Sequence, residues 1–154
     1  MKKIILILFI FTLQFAIAKD NTILFLGDSL TEGLGVDKVD AFPKLVEILI
    51  KTKLKKNITV INGGVSGSTS SDGLARLKWY LKKKPFLVFL ALGANDGLRG
   101  LDLSQSQKNL EEIINHAQKS NAKVLLAGML IPPNYGPEYS ELFKNMYQEL
   151  KVKY

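Results

Sequence analysis

TILFLGDSL, residues 22 to 30, is an apolar run that breaks abruptly on a glycine, an acid and a serine. Thr22 to Leu26 is continuously apolar rather than alternating, the pattern of a strand covered on both faces. Three further segments repeat it, each followed by a glycine-containing turn: Ile58 to Ile61, Phe86 to Ala91, and Lys123 to Ala127. Between them the apolar spacing becomes helical. Phe42, Leu45, Val46 and Leu49 fall on one helix face, as do Leu74, Leu77 and Leu81, and then Leu110, Ile113, Ile114 and Ala117. A fourth amphipathic stretch, Glu141 to Lys153, predicts a helix after the last strand. Strands alternating with helices imply right-handed crossovers and a parallel sheet covered on both sides, in a single α/β domain.

Composition narrows the chemistry. The 154 residues include 21 basic and 14 acidic side chains, one histidine and no cysteine. Thiol nucleophiles, iron–sulfur clusters, cysteine zinc sites and disulfides are therefore excluded. One histidine leaves few ways to build a multi-histidine metal site, and neither metal nor cofactor is expected. The net charge of +7 raises the question of nucleic acid. However, Lys51, Lys53, Lys55, Lys56 and Lys82 to Lys84 crowd the ends of predicted helices, where cations match the helix dipole. Solvated charge away from the ligand edge is the expectation, and no nucleic-acid partner.

Residues 1–18 read as a secretory signal peptide. Lys2 and Lys3 precede an apolar run from Ile4 to Leu13, and Ala16-Ile17-Ala18 presents small residues before Lys19. The competing reading is an uncleaved anchor, but the run is shorter than the roughly 20 residues that span a bilayer. Cleavage would remove Lys2 and Lys3, leave residues 19–154, and place the product in the periplasm or outside the cell with no stable membrane insertion.

Ligands of an open parallel sheet bind beyond the carboxyl ends of its strands. The loops there are Gly27-Asp28-Ser29-Leu30-Thr31, then Gly63 to Ser70, then Gly93-Ala94-Asn95-Asp96-Gly97. Together they offer a serine nucleophile, glycine amides and an asparagine amide for an acyl oxyanion. Each also has a plain alternative: a capped strand-to-helix turn, a flexible loop or weak phosphate cradle, and ordinary turn chemistry. A Rossmann-like nucleotide site fits poorly, since the first loop lacks both G-x-G-x-x-G and G-x-x-x-x-G-K-[ST].

In order and position the three blocks resemble those of the GDSL or SGNH hydrolases. GDSLTEGLGV, INGGVSGSTSSDGLARL, LGANDGLRGL and IPPNYGPEY are similar in cadence to the bacterial periplasmic thioesterase I, lysophospholipase and arylesterase group. The resemblance runs from about residue 21 to the last residue. It implies a flavodoxin-like three-layer α/β/α fold and a serine hydrolase of small-molecule acyl esters or thioesters working through an acyl-serine. Ser29 would be the nucleophile. Its own N–H, that of Gly67 and the Asn95 side chain would form the oxyanion hole. Asp28 and Asp96 would be supporting acceptors that fix loops, and Leu98, Leu101 and Ile131 candidate contacts to the acyl group or plain loop packing.

The family also carries an Asp-x-x-His block after a fifth strand, and the sequence contains neither. The lone histidine, His116, falls near the end of the third main predicted helix. It is expected at the opposite sheet edge, roughly 15–20 Å from Ser29, whereas a general base works at about 3 Å. The expectation is a domain truncated at its C-terminal side and inactive or crippled as it stands, either a piece of a longer product or a natural truncation. The alternative is a non-catalytic module that binds lipid or carbohydrate esters.

Overall fold

The computed structural model describes residues 21–154, so the signal-peptide reading of residues 1–18 lies outside the described residues. The elements run β1 (Thr22–Gly27), α1 (Ser29–Glu32), α2 (Phe42–Lys53), β2 (Thr59–Gly64), α3 (Ser70–Leu81), β3 (Leu87–Ala91), α4 (Ala94–Leu98), α5 (Leu103–Lys119), β4 (Lys123–Leu126), a 3-10 turn at Pro133–Tyr135, and α6 (Pro137–Lys153). The strands form one parallel sheet in the order β2-β1-β3-β4. Among the described residues no helix is long and apolar enough to cross a membrane.

Period-two alternation sends Leu24, Leu26, Val88 and Leu90 to one face of the sheet. There they meet Leu77 of α3, Leu110, Ile113 and Ile114 of α5, and Phe143, Met146 and Leu150 of α6, all buried. Phe25 and Phe89 point to the other face, where Phe42 of α2 meets both rings edge-on, at 5.4 and 5.9 Å between centroids. Local chemistry sets the helix starts. Asp102 caps α5 by accepting the N–H groups of Ser104 and Gln105, and Pro137 opens α6, where its missing N–H removes no helical bond.

Three details differ from the sequence pattern. Burial holds for β1 from Ile23 to Gly27, but β2 and β4 are edge strands and Leu125 is 54% exposed. Leu45 and Leu49 have the expected spacing yet are exposed, because α2 covers only part of its face of the sheet. Of the lysines assigned to helix ends, Lys51 and Lys53 lie in the last turn of α2, whereas Lys55, Lys56 and Lys82 to Lys84 lie just beyond their helices.

These two kinds of helix position should respond differently to truncation. Leu77→Ala opens a cavity in a side chain with no exposed surface and is expected to cost about 2–5 kcal/mol. Leu49→Ala, on the half-covered face, should cost under about 1 kcal/mol. Urea unfolding of both variants checks the contrast, and equal losses would contradict it.

Candidate active site

The chain leaves β1 at Gly27 and turns at Asp28, whose φ of −105° and ψ of −148° are not helical. Asp28 is 2% exposed, and its carboxylate accepts the Leu30 N–H at 3.0 Å, capping α1. Ser29 is thus the first residue of a helix, half-buried. Its carbonyl accepts the N–H groups of Gly33 and Leu34, each at 3.0 Å. Its own N–H belongs to the open helix end, where backbone donors have no intrahelical partner. A serine held this way presents hydroxyl and amide together.

The other two loops arrive beside it. Gly27 is level with Gly64 on one side and with Ala91 on the other. After β2 the chain turns through Gly67, which takes φ +77°, a left-handed conformation that favours glycine. After β3, Gly93 leads into α4, whose second residue is Asn95. The Asn95 Nδ2 donates to the Ser68 carbonyl at 2.9 Å, joining the third loop to the second beside Gly67. A primary amide carries two N–H donors, so one remains for a ligand oxygen.

Behind Asn95 lies a buried polar hub. Asp96, 2% exposed, accepts the Ser70 N–H at 2.9 Å, the Ser70 hydroxyl at 2.6 Å and the Ser106 hydroxyl at 2.9 Å. Asn109 of α5 donates to the Ser70 oxygen at 2.9 Å. A buried carboxylate is tolerable only with such donors, and these tie α4 to α3 and α5. Arg76 performs a similar service at the strand ends. Its Nη1 donates to the carbonyls of Gly27 at 3.1 Å and Gly63 at 2.7 Å, while Nη2 pairs with Asp72. At the rim, Arg99 donates to the Gly67 carbonyl at 2.9 Å, and Glu32 accepts the Ser66 N–H at 2.7 Å together with its hydroxyl.

Of the proposed acyl contacts, Leu98 and Leu101 are partly exposed, at 45% and 41%. Ile131 instead joins the core cluster and packs over Gly97. His116 lies in the last turns of α5, its ring Nδ1 within 2.9 Å of the Glu112 carbonyl. That helix leads through Ala122 to the start of β4, level with the start of β3, so the histidine occupies the edge opposite Ser29. Sequence reasoning missed Arg76, Arg99, Ser70, Ser106 and Asn109. Only the Asp72 and Arg76 spacing of four on one helix offered a signal.

A family model for the GDSL-like lipase/acylhydrolase family matches residues 25–153. The chain belongs to that family. It is 42% identical to the esterase TesA of Pseudomonas aeruginosa over 131 residues, 84% of this chain and 65% of that protein. It is 38% identical to the thioesterase 1/protease 1/lysophospholipase L1 of Escherichia coli K12 over 148 residues, 96% of this chain and 69% of that protein. Among solved structures, the SGNH-hydrolase esterase AlinE4 superposes with a TM-score of 0.82 at 38% identity, covering 90% of this chain and 74% of that one. The chain spans about two thirds of the length of the curated relatives it matches.

The Glu32 tether yields a pH prediction for this family member. The Ser66 hydroxyl, and then its N–H, hold the Glu32 carboxyl below its usual value of 4.5. A lowered carboxyl stabilises the fold above the usual range, and that stabilisation is lost as pH falls through the lowered value. Wild type should therefore melt above Glu32→Gln at neutral pH, with the difference shrinking as the pH falls below the usual carboxylate range. A gap that persists unchanged in acid would contradict the tether.

Proposed function

We propose that this chain is the nucleophile and oxyanion part of a serine acyl hydrolase for small acyl esters or thioesters, and that the protein is exported. The Ser29 Oγ attacks the acyl carbon and gives its proton to a base. The resulting oxyanion is held by the N–H groups of Ser29 and Gly67 and by the Asn95 amide. The C–O or C–S bond then breaks, the alcohol or thiol leaves, and water releases the acid from the acyl-serine. The observation that supports this best is the Asn95 to Ser68 hydrogen bond, which joins two donor loops at the strand end that carries Ser29. The names of the relatives, esterase and thioesterase, support the substrate class.

No side chain among the described residues hydrogen-bonds the Ser29 hydroxyl, and the one histidine is at the far edge. Unassisted turnover by these residues is therefore slow. Losing a triad member costs on the order of 10⁴–10⁶ in turnover, while oxyanion hole and binding retain about 10³–10⁴ over water.

The test supplies a base from solution. With p-nitrophenyl butyrate and added imidazole, the protein should release nitrophenol faster than imidazole alone and accumulate one butyryl group on Ser29 by mass spectrometry. Ser29→Ala should fall to the imidazole background, and Asn95→Ala should lose about 10²–10³ in the enzyme-dependent rate. Saturable ester binding with no acyl-serine at any imidazole concentration would instead favour the binding module.

A further inference from the structure

Three tyrosines of the C-terminal segment donate their hydroxyls to backbone carbonyls around the helix that carries Asn95. Tyr147 of α6, 4% exposed, donates to Leu92 at 2.8 Å, one residue before the Gly93 turn. Tyr135 donates to Leu98, the last residue of α4, at 2.9 Å. Tyr139 donates to Leu101 in the following loop at 3.1 Å. The contact at Gly93 is close: it takes φ +115°, and an added Cβ would lie 2.3 Å from the Tyr147 hydroxyl oxygen.

Helix α4 has five residues and cannot hold itself, since so short a helix is unstable without tertiary contacts. Asp96 anchors it to α3 and α5, but that hub grips one residue on one side. The tyrosines, Tyr135 from the 3-10 turn and Tyr139 and Tyr147 from α6, grip the entry, the end and the exit of α4. Burial pushes the Tyr147 hydroxyl above the usual phenol range, and the Asp96 and Asp28 carboxylates push it the same way, so it stays a protonated donor at neutral pH.

We infer that Tyr147, seconded by Tyr135 and Tyr139, is a positioning residue that sets the height of the Asn95 amide over Ser29, so that α6 controls the oxyanion hole. This rests on the acyl-hydrolase reading above. Removing the Tyr147 hydroxyl leaves the Leu92 carbonyl without its donor and releases the turn that leads into α4. A shift of about 1 Å in a catalytic group can cost on the order of 10²-fold in rate.

A double-mutant cycle between Tyr147→Phe and Asn95→Ala, read in imidazole-assisted butyrate ester hydrolysis, tests it. Tyr147→Phe keeps the ring and is expected to lower kcat about 10-fold with KM within about twofold. The loss should disappear in the Asn95→Ala background. Tyr139→Phe, which also keeps its ring and is less buried than Tyr147, should show a smaller loss with the same dependence on Asn95. In ¹⁵N spectra of the same variants, the Asn95 side-chain amide pair should move. A loss that persists in full without Asn95, or unchanged kcat with an unmoved Asn95 amide, would overturn the inference. If Ser29→Ala retains the wild-type rate, the hydrolase reading itself fails, and the Asn95 amide signal still decides the positioning role.

Discussion

Because β1, β2 and β3 run parallel and reach Gly27, Gly64 and Ala91 in register, the three loops that follow them have nowhere to go but one edge. Parallel strands require crossovers, and each crossover helix returns the chain to the opposite edge before the next strand begins. The register is itself enforced by burial. A slip of one residue in β3 would turn Leu90 toward α2 and Phe89 toward α5, exchanging two side chains chosen for different surroundings. Ser29 and the loops of Gly67 and Asn95 are thus brought together by the packing of Leu24, Leu26, Val88 and Leu90, far more than by contacts among themselves.

Register alone leaves the loops loose, and polar anchors supply the rest. Asp96 ties the Asn95 helix to α3 and α5, Arg76 spans the carbonyls of Gly27 and Gly63, and Tyr147 meets Leu92 from α6. Each satisfies buried or half-buried backbone groups that water would otherwise hold, so each fixes geometry and avoids a desolvation cost of about 1–3 kcal/mol. On the proposed reading, these anchors preorganise the charge-stabilising part of the reaction.

Much of this was legible in the sequence. The continuous apolar runs marked the strands, the helical spacings marked α2, α3, α5 and α6, and the glycine-rich breaks marked the loops, since these signals are local. Coverage was less legible. Leu45 and Leu49 have core spacing but stand exposed, because whether a helix face is buried depends on what lies across from it. The short helices α1 and α4 read as turns, and the partners of Asp96 were invisible because Ser70 and Ser106 come from two separate helices. The tyrosine hydroxyls gave no signal either, since periodicity reports which side a ring faces and says nothing of which carbonyl it meets.

The central claim is that Ser29, Gly67 and Asn95 form one oxyanion site. A crystal structure of the protein after imidazole-assisted reaction with p-nitrophenyl ethylphosphonate tests it most directly, because the phosphoryl oxygen mimics the oxyanion. The account predicts the adduct on Ser29, with that oxygen about 2.7–3.1 Å from the Ser29 N–H, the Gly67 N–H and the Asn95 Nδ2. An adduct on another residue, or a phosphoryl oxygen turned to solvent and away from Gly67 and Asn95, would contradict it.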